Sequence, residues 1–152
     1  MEWTVHTGEL EQDDVQALLA LHFAAMQDHS PPDACHVLPA EALRHPSITF
    51  FSVRDESRLL GIGALKALDE THGEIKSMRR SPQAARGVGR FLLDAIIAEA
   101  RMRGYRRLSL ETGSGEEFAP ALRLYDRAGF RPCDPFGEYT SNPFTRFLAK
   151  DL

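Results

Sequence analysis

Met78-Arg79-Arg80-Ser81-Pro82-Gln83-Ala84-Ala85-Arg86-Gly87-Val88-Gly89-Arg90-Phe91-Leu92-Leu93 is the stretch on which the fold turns. It reads as the end of a strand, a basic turn with two closely spaced glycines, and the first turns of an amphipathic helix. A strand that runs through a glycine loop into a helix leaves free backbone N–H groups at the positive end of the helix dipole. That is a seat for an anion, most often a phosphate. A side chain at Gly87 or Gly89 would hold the phosphate away from the backbone. Gly-x-Gly alone does not separate this reading from a helix start with two incidental glycines.

The charge around the loop favours the anion. The chain carries a net charge of −4, which argues against a general nucleic-acid partner. Residues 1–75 hold 4 Lys/Arg against 13 Asp/Glu, whereas residues 76–107 hold 9 against 2. A solvated helix face accounts for Arg101, Arg103, Arg106 and Arg107. It accounts less well for Arg79, Arg80, Arg86 and Arg90, which crowd the glycine loop and suit a small polyanionic ligand.

Working outward, Glu2–Thr7 alternates as a first strand, and Asp13–His29 places Val15, Leu18, Leu19, His22, Ala25 and Met26 on one helical face. Pro31-Pro32 ends that helix, and Pro39–Arg44 suits a short second one. Ile48–Arg54, Leu59–Ala67 and Glu74–Arg80 read as three strands joined by short polar turns, hence antiparallel hairpins. Val88–Arg103 is the strongest helix, closed by Gly104, and Arg107–Glu111 is an alternating strand. Ser114-x-x-Glu117 matches a capping box but conflicts with Pro120, which favours a loose turn to Phe118 and a helix over Ala119–Ala128. Phe130–Cys133 and Phe144–Lys150 complete the strands, with a polar loop carrying Tyr139 between them. The order β-α-α-β-β-β-α-β-α-β-β predicts a mixed α/β fold, a mostly antiparallel central sheet flanked by helices. A plain Rossmann domain would alternate strand and helix throughout.

At 152 residues and 43% hydrophobic content, a single domain over 1–152 is expected. No apolar run approaches the ~20 residues of a membrane span, and the N-terminus does not read as a signal peptide. Cys35 and Cys133 stand in no metal or redox spacing, which suits a reducing cytoplasm. All six histidines lie before residue 76, none at metal-ligand spacing, so no metal is expected.

Four features in order make the chain resemble the GNAT superfamily of N-acetyltransferases. Gly73–Met78 is similar to the family's fourth strand, and Arg86–Leu93 to its pyrophosphate loop and helix. Arg103–Glu111 resembles the turn into its fifth strand, and Ala121–Phe130 its Leu-Tyr-x-x-x-Gly-Phe helix end. The resemblance implies that acetyl-CoA, as co-substrate, binds in a V between the fourth and fifth strands. Its pantetheine would pair with the backbone of Met78 and Arg80. Its pyrophosphate would sit on Ala85, Arg86, Gly87, Val88, Gly89 and Arg90, with Arg79, Thr112 and Tyr125 completing the contacts. One departure stands out: the family usually has Gln or Arg three residues before the first glycine, and this chain has Ala84.

The resemblance also implies roles. Tyr125 is the candidate to protonate the departing CoA thiolate. Glu74, on the central strand, is the candidate base for the attacking amine, and Glu111 is an alternative. The expected activity is transfer of an acetyl group from acetyl-CoA to a primary amine of a small molecule or peptide, by direct attack. A non-catalytic acyl-CoA-binding module of the same fold is the alternative. Neither a nucleic acid nor a membrane is expected as partner, and a homodimer through the C-terminal strand is left open. The acidic N-terminal third favours a cationic acceptor, although surface charge need not report pocket charge.

Overall fold

The computed structural model of the chain describes residues 2–152. Seven strands form one sheet: β1 (Trp3–Thr7), β2 (Ile48–Asp55), β3 (Arg58–Ala67), β4 (His72–Arg80), β5 (Arg107–Thr112), β6 (Arg131–Pro132) and β7 (Arg146–Asp151). The spatial order is β1-β2-β3-β4-β5-β7-β6, with every pair antiparallel except β4 with β5. Short turns dictate the hairpins from β2 to β4. Between β3 and β4, Asp69 accepts from the Thr71 N–H at 2.8 Å and closes the turn. The parallel pair needs a longer crossover, supplied by helix α2 (Val88–Met102).

The helices cover the two faces of the sheet. Helix α1 (Asp13–His29) opens with Asp13 and Asp14 at its positive end. Its buried Val15, Leu18 and Leu19 pack with Leu43, Phe50, Ile62 and Ala64. On the opposite face, Val88, Leu92, Leu93 and Ile96 of α2 meet Val53, Leu65, Ile75, Leu108 and Leu110. Helix α3 (Ala119–Arg127) adds Tyr125 to that second cluster. Each such aliphatic side chain contributes roughly 1.5–3 kcal/mol on burial.

Two segments differ from the sequence reading. The segment expected as a second helix is a 3-10 turn, Ala40–Arg44; five residues between Pro39 and His45 are too few for a stable α-helix. The strand expected over Phe130–Cys133 shortens to the two-residue β6, which pairs with β7 only at Leu148 and Ala149. Among the described residues, no helix is long and apolar enough to cross a membrane, and Cys35 and Cys133 are free thiols.

The N-terminal acids are spent on structure. Arg54, buried on β2, donates to Glu9 at 2.8 Å and to both oxygens of Asp14 at 2.6 and 2.9 Å, tying β2 to α1 and the loop before it. Arg54 hydrogen bonds chiefly hold Asp14 below its ordinary pKa; for Glu9, burial acts upward and is outweighed by Ser52 and Arg54. Both depressed carboxyls stabilise the fold above about pH 4 and lose that contribution as the pH falls through their folded values. Arg54→Met should therefore lower the unfolding free energy by about 2 kcal/mol at pH 7, with Asp14 partly solvated and screened. The difference from the parent should shrink in urea titrations at pH 3.

Candidate active site

β4 and β5 run side by side only from His72↔Arg107 to Ile75↔Leu110. Beyond that point β4 contains one residue more than β3: Ile62 pairs with Arg79 and Ala64 with Lys76, leaving Ser77 and Met78 opposite Gly63. Ser77 adopts the left-handed φ of 56° that this bulge requires. Gly63 makes room for it, since a Cβ there would lie 2.8 Å from Met78 Sδ. The bulge bends β4 away from β5, and its outer edge past Ile75 keeps no strand partner.

A cleft of about 740 Å³ opens in that gap. Met78, Arg79 and Arg80 line it from β4, and Thr112 from the end of β5. Arg86, Gly87, Val88, Gly89 and Arg90 line it at the start of α2, and Tyr125 from α3. Ala85 and Glu74 do not line it.

The start of α2 has the geometry of an anion nest. Gly87, at φ +99°, is the N-cap residue, and no side chain caps the helix. Its first N–H groups are thus open to a ligand. Arg80 and Arg86 are exposed and have no carboxylate partner among the described residues, while Arg90 pairs with Asp94 at 3.0 Å. Ala84 packs against the core under the turn, so the loop sits close to the sheet where a longer side chain would have reached outward.

Tyr125 is positioned by the way α3 ends. Gly129, at φ +95°, follows the last turn; its N–H donates to Asp126 O at 3.0 Å, and the Phe130 N–H to Tyr125 O at 2.9 Å. These are the two bonds of a Schellman motif, and the Phe130 ring meets the Tyr125 ring edge-on at 5.8 Å. The Tyr-x-x-x-Gly-Phe spacing is this cap written in sequence. Burial, with Glu111 nearby, pushes the Tyr125 phenol well above its ordinary pKa, so it keeps its proton.

Glu74 occupies a different place from the one expected of a base. It is 2% exposed, and its Oε2 accepts from Tyr139 Oη at 2.6 Å and from Lys76 Nζ at 3.1 Å. Lys76 also donates to Tyr139 Oη at 2.7 Å. Glu74 is thus sealed behind its partners as the counter-charge of a buried lysine. Two carboxylates do line the cleft, Glu117 and the more deeply buried Glu111, whose Oε2 lies 3.3 Å from His36 Nδ1. Burial pushes Glu111 above the usual carboxylate range, opposed by the charges of Lys76 and His36. Lys76, Tyr139 and His22 were not singled out from sequence as functional. Lys76 had a signal, standing two residues after Glu74 on the same face of a strand. Tyr139 had none, because its loop folds over β4 only in three dimensions. His22 accepts from Arg79 Nε at 3.0 Å, and burial plus that charge lower its pKa to about 4. No group of three or more potential metal ligands occurs among the described residues.

Residues 13–130 match the acetyltransferase (GNAT) family. The chain belongs to that family. It is 44% identical to the uncharacterized N-acetyltransferase YedL of Escherichia coli K12, over 99% of this chain and 95% of the relative. It is 48% identical to the uncharacterized N-acetyltransferase YsnE of Bacillus subtilis 168, over 97% and 99%. Its fold superposes with a TM-score of 0.78 on a candidate acyl-CoA N-acyltransferase from Klebsiella pneumoniae, 29% identical, over 99% and 97% of the two chains. This GNAT protein is an acetyltransferase.

The cap at the end of α3 can be tested directly. Gly129→Ala forces a Cβ into a left-handed residue, where it would meet only the mobile end of Lys150. Calorimetry should show a loss of about 1 kcal/mol, together with reduced turnover as Tyr125 shifts.

Proposed function

We propose that the protein transfers the acetyl group of acetyl-CoA to a primary amine of a small molecule or peptide by direct attack within the cleft. The observation that carries this reading is the unpaired edge of β4 leading straight into the Gly87 nest, with Tyr125 on the facing helix. The residues present fit the coenzyme. The backbone of Met78 and Arg80 offers hydrogen bonds to an extended amide chain, and the N–H groups from Arg86 to Arg90 suit a pyrophosphate. Arg80 and Arg86 supply uncommitted positive charge beside that nest, in the role that Ala84 cannot fill. When bound, acetyl-CoA supplies the thioester carbonyl that the amine attacks.

Two groups of this chain then manage protons. Glu111 accepts the proton of the attacking amine at a carboxylate oxygen; its raised pKa makes it a better base than a solvated glutamate. Tyr125 holds a proton at Oη for the departing thiolate and regains its neutral form by taking a proton from solvent. Glu74 holds the Lys76 ammonium and the Tyr139 hydroxyl in place, a positioning role for the base proposed from sequence.

Free-thiol release with acetyl-CoA over a panel of amines tests the proposal. Release above background with at least one amine is expected; none with any amine, in a protein that binds acetyl-CoA, would refute it. Tyr125→Phe should lower kcat by about 10²-fold with the KM for acetyl-CoA unchanged. Glu111 works only when ionised, so kcat/KM should rise with pH through a value above the ordinary carboxylate range. Glu111→Gln should remove that limb, leaving the ionisation of the amine itself.

A further inference from the structure

Only two arginines of the described chain are withdrawn from solvent: Arg54 is buried and Arg79 half-buried. Their surroundings are opposite. Arg54 is held by two carboxylates, Glu9 and Asp14. Among the described residues, Arg79 has no carboxylate within ion-pair distance, and its single hydrogen bond runs from Nε to the neutral ring of His22. That bond fixes the plane of the guanidinium and leaves both terminal nitrogens, the fork that suits a carboxylate, without a protein acceptor. Desolvation lowers the Arg79 pKa with no opposing acid. A half-buried, uncompensated guanidinium is costly, and a ligand's anion would remove the cost.

Its position separates it from the pyrophosphate nest. Arg79 projects towards α1, where His22 sits, whereas its neighbour Met78 projects to the α2 side, beside Leu92 and Ile96. On the α1 side the cleft is also lined by Lys76, His36 and Glu111, the last of these the proposed base. Lys76 is already neutralised by Glu74, so Arg79 is the uncommitted charge of that half. No acidic residue from 1–75 lines the cleft, and Glu9, Glu11 and Asp14 are engaged by Arg54 and Arg44. The acidic N-terminal third therefore does not reach the acceptor side.

We propose that Arg79, oriented by His22, is the seat of a carboxylate carried by the acceptor, so that the substrates are amines bearing a carboxyl group. This rests on the acetyl-transfer reading for the amine, but not for the anion. A single uncommitted guanidinium matches a single negative charge; a phosphate dianion would leave a second charge uncovered in a half-buried site.

Calorimetry on the CoA-loaded protein gives a readout independent of turnover. The probes are N-acetylated amino acids, aromatic and aliphatic, each paired with its carboxamide. The acids should bind the parent about 10- to 100-fold more tightly than the amides. Arg79→Gln should abolish the difference, and Arg79→Lys, which keeps the charge but not the fork, should restore part of it. Acetyl-CoA affinity should be unchanged in both. Equal binding of acid and amide by the parent would overturn the proposal, whether or not a variant folds. So would a loss of acetyl-CoA affinity on Arg79→Gln, which would assign the guanidinium to the coenzyme's phosphates. Thiol release compared between amino acids and their decarboxylated amines separates the two claims. Acid-selective binding without release from any amine would sustain Arg79 and refute acetyl transfer. Release as fast from decarboxylated amines as from the acids would do the reverse.

Discussion

Everything in the site depends on one extra residue in β4. A strand paired on both sides has no backbone to offer a ligand. Ser77, held at a positive φ that costs on the order of 1 kcal/mol, turns β4 out of register with β3 and away from β5. Gly63 accommodates the bulge on the neighbouring strand, and the Ile75–Leu110 pair marks where the sheet ceases to be continuous. The same departure exposes the edge of β4, opens the cleft and aims the chain at the start of α2. Hydrophobic burial on both faces keeps the sheet from closing the gap by sliding.

Charge within the cleft is divided by burial. Glu74 and Lys76 face each other in a buried pair, and neither can turn to a ligand without leaving its partner unpaired. Glu111 lies one strand away, reaches the cleft and pairs only with an imidazole. Two carboxylates on the same face of the sheet thus have different surroundings, one holding a lysine and the other reaching the cleft. The ring of Tyr139 closes the arrangement by meeting His36 edge-on at 4.9 Å while its hydroxyl bridges Glu74 and Lys76.

Much of this was legible in the chain because it is local. The Gly87 nest, the Gly129 cap that sets Tyr125, and the three hairpin strands are each written within a dozen residues. Asp13–His29 was bounded to the residue because acids begin it and prolines follow it. Pro120 correctly outweighed the capping box: it sits in the first turn of α3, where a missing N–H costs nothing, and Ser114 instead donates to Phe144 O at 2.7 Å. What could not be read was non-local. The burial of Glu74 depends on Tyr139, 65 positions away, and the isolation of Arg79 depends on which acids the fold places elsewhere. A sum of charge over sequence cannot tell a surface pair from a pocket wall.

The central claim is that the edge of β4 and the start of α2 form one continuous backbone site for acetyl-CoA. Amide hydrogen exchange, resolved by residue with and without acetyl-CoA, tests it most directly. Protection should rise at Met78, Arg80 and from Arg86 to Arg90, and stay unchanged in β1 and β2. Saturating acetyl-CoA with no added protection at β4 or the α2 start, or with protection elsewhere instead, would contradict it.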